Sequence, residues 1–425
     1  MKQKISLLVL MLILNLTTFA NKFQAIDINP GGSISVEDVT RIVKVQNLKL
    51  KTALKDIQAK NQRINQAAVL PNPEFEIESE NIYGSGEYAK LDNAETTIKI
   101  GTPIELGGKR HHRIKAAKLN KMISMHMYAL VLSDVMKQTR QLGIDVLKQQ
   151  DLLELAKKRV KTNQSLLNEI KVRVEKGRLS IVEQKRANIL VSQSELAIKK
   201  RNLALTKSRN QLSLMWGFPE AQFDNIQGNI ENIDPLPSLD VLDSQLDQSV
   251  ALKIKKEVLE LSRTNNSIER SLGVPDLTLS GGIKHDRSTK DKSYVISGSF
   301  PLPIFDRNTG AIKASEYLLI EKELELEKLS LEYQNKLNSL HHELTVLKIE
   351  ISELKQKIIP QAKDVFNTLK DGYLQGKFSY LAVLEAQNSL FEFKESYIET
   401  LVQYHKLFFE IKQLTGEIIE GEENE

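Results

Sequence analysis

Apolar and polar positions along the chain follow two different periods, and each period occurs twice. Phe75 and Ile77 alternate with Glu74, Glu76, Glu78 and Glu80, and Ile98 and Ile100 alternate with Thr97 and Lys99. Leu277, Leu279 and Ile283 form a third apolar face, and Tyr294, Ile296 and Phe300 a fourth. A period of two predicts strands, over about 73–83, 95–104, 276–285 and 293–302. Each run is about nine or ten residues, long enough for a tilted strand across a bilayer.

Elsewhere apolar positions step by three and four. Leu153, Ala156, Val160, Asn163, Leu167, Ile170 and Val174 form one such series. Leu340, Leu344, Leu347, Ile351, Leu354, Ile358, Gln361 and Val365 form a second, and Phe393, Tyr397, Leu401, Tyr404, Phe408 and Ile411 a third. This spacing predicts long coiled-coil helices. Between Lys109 and Lys176 there is no Pro and a single Gly, Gly143, a run that at ~1.5 Å per residue would reach about 100 Å. Reversal is expected at Gly177 and Gly376, where a left-handed backbone costs little. The result is two antiparallel hairpins, about 109–216 and 310–415.

Strand pair and hairpin recur in the same order, so the chain reads as a duplicated fold. The first repeat covers 33–217 and ends in LSLMWG; the second covers 239–416 and ends in IKQLTG. Residues 218–238, with Pro219, Pro235 and Pro237, read as a connector outside the main helices. Trp216 is expected to pack at the end of the first hairpin. The acidic stretch 417–425 has little to bury and is expected to be disordered.

Composition narrows the class. Lys2 and Lys4 precede an apolar run from Ile5 to Leu16, with small residues at Ala20 and Ala25. These features predict a secretory signal peptide over 1–25, cleaved after one of the two alanines. The chain has no Cys, which excludes disulfides, thiolate metal sites and a lipid carried on an N-terminal cysteine. Its net charge of +4 lacks the basic excess of a nucleic-acid binder. In an exported chain, apolar-out and polar-in strands fit an outer-membrane barrel, although a soluble sheet with one wet face alternates in the same way. Four strands cannot close, and open edges are not tolerated in lipid. A membrane reading therefore requires oligomerisation, and three chains would supply twelve strands. A coiled-coil scaffold would not need the strands, and the lipoyl-like region of a periplasmic adaptor is not found.

No catalytic, cofactor or metal site stands out. His111–His112 and His341–His342 are adjacent pairs, which point about 100° apart on a helix and make poor joint ligands. No zinc motif, phosphate loop or nucleophile elbow accompanies them.

The segment IIPQAKDVFNTLKDGYLQGKFSYLAVLEAQNSLF joins a Pro, a Tyr–Gly turn and a Leu–Glu–Ala–Gln helix start. With these residues the chain resembles the TolC family of outer-membrane efflux proteins over nearly all its mature length. PIELGGKRHHRIKAA and PLPIFDRNTGAIKAS are similar to the heavy-metal branch, which works with resistance-nodulation-division pumps. The resemblance implies a mainly α fold with a small β part. It implies a homotrimer with a 12-stranded outer-membrane barrel and a periplasmic helical tunnel that meets an adaptor protein and an inner-membrane pump. It implies no cofactor and no chemistry in the chain; a type I protein-secretion channel is the alternative. By the same resemblance Tyr373 matches a gate tyrosine and Glu183 an acidic partner. Phe378 replaces the gate arginine, with Lys377 beside it as a substitute. Glu385 keeps one carboxylate of a constricting pair whose other position is Ala382. Adaptor contact is expected at Gly177, Arg178, Leu179 and Ser180, and at Gly376, Lys377, Phe378 and Ser379.

Overall fold

The computed structural model describes residues 32–417, so the signal peptide expected over 1–25 and all but Glu417 of the acidic tail lie outside the described residues. In chain order the elements are β1 (Gly32–Ser35), α1 (Val36–Gln46), α2 (Leu48–Ala68), β2 (Glu74–Glu80), β3 (Glu95–Ile104), α3 (Lys109–Glu175), α4 (Ile181–Ser213) and β4 (Phe223–Gln227). They continue with α5 (Leu239–Gln245), α6 (Val250–Leu272), β5 (Leu277–Asp286), β6 (Lys292–Ser299), α7 (Thr309–Glu353), α8 (Ile359–Leu374) and α9 (Tyr380–Thr415). A π turn, Leu354–Ile358, joins α7 to α8. Two compact units result: one of residues 52–130 and 247–335, the other of the remaining described residues.

The first of these units holds an antiparallel sheet in the order β2-β3-β5-β6. Its register sets Phe75 opposite Ile100 and Ile77 opposite Ile98, then Ile98 opposite Ile283 and Ile283 opposite Tyr294. Because side chains alternate, these residues share one face. The reverse face is polar: Lys99 Nζ lies 2.9 Å from Glu78 and 3.4 Å from Glu76, and Lys284 pairs with Glu95 and Glu80. Gly282 is required where the strands close up, since a Cβ there would stand 2.2 Å from the Ile98 carbonyl oxygen. Nothing among the described residues covers the apolar face; Tyr294 is 89% and Ile296 91% exposed. Two strands are shorter than the alternation predicts. β2 stops at Glu80 because Asn81 turns to φ +55°. β6 stops at Ser299, ahead of Pro301, which has no N–H for the ladder.

The other unit holds the hairpins from residue 131 of α3 and residue 336 of α7 onward. α3 is one helix of 67 residues, and α4 returns beside it. Leu167 and Ile170 of the expected series are buried at 3% and 0% exposure. In the second hairpin the expected series fails beyond Leu354. Val365 is 51% exposed while Phe366 is buried, and Ala362, Leu369 and Tyr373 share its core. The cause is local. Pro360 offers no N–H to the carbonyl four residues earlier and its ring would press upon it. The helix opens into the π turn just before Pro360, absorbing one residue and rotating everything after it. Phe393 is also less buried than its series predicts, at 37% exposure.

The connector is more than a link. β4 lies within it and pairs in parallel with β1, a strand of four residues too short to show a period. The connector also straps across hairpin helices. Gln150 brackets the Ile226 backbone with two hydrogen bonds of 2.9 and 3.1 Å. His405 Nε2 meets Ile230 O at 2.8 Å, and the Tyr404 hydroxyl donates to Asp234 O at 3.0 Å. Trp216 is buried against Phe223, with ring centroids 6.1 Å apart.

Candidate gate at the hairpin tips

Both hairpins turn by the same device. Arg178 N donates to Arg173 O at 2.9 Å, and Lys377 N to Gly372 O at 2.8 Å. Gly177 and Gly376 take φ of +67° and +77°, the left-handed step that closes a helix with a Schellman bond. Ser180 and Ser379 then cap the returning helices, their hydroxyls accepting from Val182 N at 3.2 Å and Ala382 N at 3.3 Å. The tip residues Gly177, Arg178, Ser180, Gly376, Lys377, Phe378 and Ser379 are exposed, whereas Leu179 is half-buried.

Beneath the tips the hairpins share a core of Leu166, Leu167, Ile170, Ala187, Val191, Phe366, Tyr373, Tyr380, Val383 and Leu390. Polar contacts cross it as well. The Tyr373 hydroxyl donates to Glu183 Oε2 at 3.0 Å, joining α8 to α4. The Arg173 guanidinium donates to the Leu374 carbonyl, joining α3 to the end of α8. Deeper in, the Gln387 amide donates to Asn163 Oδ1 at 2.5 Å, a buried pair between α9 and α3. A polar pair on an apolar seam pins register at some cost in stability.

Burial pushes the Tyr373 phenol well above the usual tyrosine range, reinforced by its bond to Glu183. Burial pushes Tyr380 up to about 12, with the Glu183 charge adding to it. Both phenols are therefore neutral at ordinary pH, and Tyr373 donates. The Tyr380 hydroxyl is buried without a partner among the described residues, its ring 5.8 Å from that of Tyr373.

The structure thus brings Tyr373 and Glu183 together and leaves the other two gate candidates apart from them. Lys377 is exposed and takes no ion pair among the described residues. Phe378 folds back on its own turn: a Cβ on Gly372 would lie 2.3 Å from its ring. Glu385 is exposed, two residues beyond the fully buried Val383. Among the cations that do cross between hairpins near the tips is Arg173, which was not among the candidates drawn from the sequence. Its position in the last turn before Gly177, where basic side chains meet free carbonyls, was the available signal. Among the described residues no group of three potential metal ligands gathers. His341 instead approaches the Pro237 carbonyl at 3.2 Å. No described helix is long and apolar enough to cross a membrane.

A family model described as "Outer membrane efflux protein" matches residues 41–218 and 241–417, once for each repeat. The cobalt-zinc-cadmium resistance protein CzcC of Cupriavidus metallidurans is 29% identical over 385 residues, covering 91% of this chain and 90% of the relative. The nickel-cobalt-cadmium resistance protein NccC of Alcaligenes xylosoxydans xylosoxydans is 21% identical over 285 residues, with 65% and 62% covered. Among solved structures, the transmembrane channel CusC superposes with a TM-score of 0.73 at 17% identity, covering 89% of this chain and 91% of that one. The outer membrane protein VceC of Vibrio cholerae gives 0.73 at 14% identity, with 90% and 96% covered.

Proposed function

The chain belongs to the outer membrane efflux protein family, and from that premise we propose that it is the passive exit duct of a heavy-metal efflux system. The observation that carries the metal assignment is the end-to-end likeness to a cobalt-zinc-cadmium resistance protein. Three chains would close the sheet into a twelve-stranded barrel, satisfying the free edges of β2 and β6 that lipid would not tolerate. The apolar face would meet lipid, and the Lys99 and Lys284 face would line the lumen. The hairpins would form the periplasmic tunnel, fed by an adaptor and a resistance-nodulation-division pump. The tip residues from Gly177 to Ser180 and Gly376 to Ser379 would carry the adaptor contact.

At the tips, Tyr373 and Glu183 form a latch between the hairpins, and Glu385 contributes one carboxylate per chain to an acidic ring at the constriction. Like charges in a confined ring attract cations. A strain lacking the gene should lose tolerance to zinc, cadmium or cobalt and regain it from a plasmid copy. Unchanged tolerance of all three metals would overturn the metal assignment. Heat-resistant trimers in outer-membrane extracts check the assembly separately.

A further inference from the structure

The two strand-to-helix junctions align without a gap: Ile114-Lys115-Ala116 and Ile312-Lys313-Ala314 lie 198 residues apart. On that alignment Ile104, Glu105, Leu106 and Gly107 correspond to Leu302, Pro303, Ile304 and Phe305. The first junction is tied down by charge. Glu105 pairs with Arg113, and Asp276 accepts from Leu106 N at 2.9 Å and Lys109 Nζ at 2.7 Å. The second has no charge between Phe300 and Phe305. It presents Phe300, Leu302, Ile304 and Phe305 at 59, 68, 64 and 100% exposure.

We propose that residues 300–305 are a lipid anchor, seated in the membrane interface at the helix-side border of the sheet; this rests on the outer-membrane reading above. The patch follows β6 directly, beginning at Phe300, which keeps the alternation of Tyr294 and Ile296, so it borders the surface already assigned to lipid. An apolar medium penalises unpaired polar groups, and part of this backbone escapes that penalty. Pro301 and Pro303 have no N–H to satisfy. Ile304 N donates to Leu302 O at 2.8 Å, and Pro303 O accepts from Arg307 Nε at 3.1 Å. Asn308 N donates to Asp306 Oδ1 at 2.8 Å, and the Asn308 side chain donates to Glu269 O at 2.7 Å. These bonds hold the helix end of the loop before it meets the membrane, which lowers the ordering cost of docking.

Asp306 and Arg307 follow at once, as expected where headgroups begin, and aromatic rings favour that depth. A second copy of the chain is the weaker occupant, because a segment with two prolines has few N–H groups for a neighbouring strand to pair with. The sequence has no cysteine for an attached lipid, so any added hold on the bilayer must come from side chains.

The test is depth-dependent quenching in phosphatidylcholine vesicles with acyl chains brominated near the headgroup or near the bilayer centre. Phe305→Trp, Leu302→Trp and, as control, Ile296→Trp are each checked as trimers and compared with the parent, whose single Trp216 is buried. Phe305→Trp and Leu302→Trp should lose most of their added fluorescence to shallow bromines and little to aqueous acrylamide. Ile296→Trp should respond to the deep bromines. Quenching of the loop variants by acrylamide alone would overturn the anchor in favour of water, and protection from both quenchers would overturn it in favour of a second copy. Failure of Ile296→Trp to respond to either lipid would overturn the membrane assignment of the sheet itself.

Discussion

The first long helix reaches its turn without interruption, whereas the second is broken by a π turn on the way to the same geometry. Ile351 and Leu354 lie 198 residues after Leu153 and Ala156, but Ala362, Phe366, Leu369 and Tyr373 lie 199 after Asn163, Leu167, Ile170 and Val174. The second repeat thus carries one extra residue, and the offset changes across Leu354–Ile358. A helix cannot hide an insertion elsewhere, because each added residue turns the following face by about 100°. The π turn confines the error to a single turn. Tyr373 consequently arrives where the first repeat has Val174. Near-identical turns and caps therefore differ in chemistry: one repeat supplies the Tyr373 hydroxyl, and the other supplies the Glu183 carboxylate that receives it.

The largest test of this comparison is a pair of deletions. Removing Asn367 from α8 should turn Tyr373 away from Glu183 and abolish assembly, read as loss of trimer from the outer membrane. Removing Gln356 together with Pro360→Ala should be tolerated, because it shortens the second repeat to the length of the first and leaves the later face in place. Equal damage from both would refute the insertion.

The latch comes next. Tyr373→Phe removes a hydrogen bond to a charged acceptor, worth about 1.5–3 kcal/mol. Combined with Glu183→Gln it should raise single-channel conductance in planar bilayers, and an unchanged conductance would mean closure lies elsewhere. Glu385→Ala should reduce cation selectivity and block by multivalent cations without changing trimer yield.

The smallest effect concerns Tyr380. Its hydroxyl has no partner, so Tyr380→Phe should change stability by no more than about 1 kcal/mol, in either direction. The same variant reports on pH. A phenol whose folded pKa lies above its unfolded value stabilises fully below the unfolded value, near pH 10. That contribution is lost as pH rises through the folded value, for Tyr380 about 12. The difference in 295 nm absorbance between parent and variant should therefore rise near pH 12, and a rise near 10 would show an exposed ring.

Alternation and heptad spacing are short-range properties, and they were enough to predict the sheet faces and the paired long helices. The Tyr373–Glu183 pairing came through the family resemblance, since the two residues lie 190 positions apart and no local pattern relates them. What the sequence pattern could not reveal depended on competition between distant groups. Heptad counting ran on through Pro360 because it assumes an unbroken α geometry; only the folded hairpin shows Phe366 in the core and Val365 outside. β1 has too few residues for a period, and it exists because β4 lies beside it. The connector read only as a segment outside the main helices, but its carbonyls are held by Tyr404 and His405 from a helix more than a hundred residues away in sequence. Phe378, placed by the resemblance at a gate position, spends its ring on Gly372 of its own turn, while Arg173 reaches the other hairpin. Period and turn chemistry were decided locally; partner choice was decided by which helices the tertiary structure laid side by side.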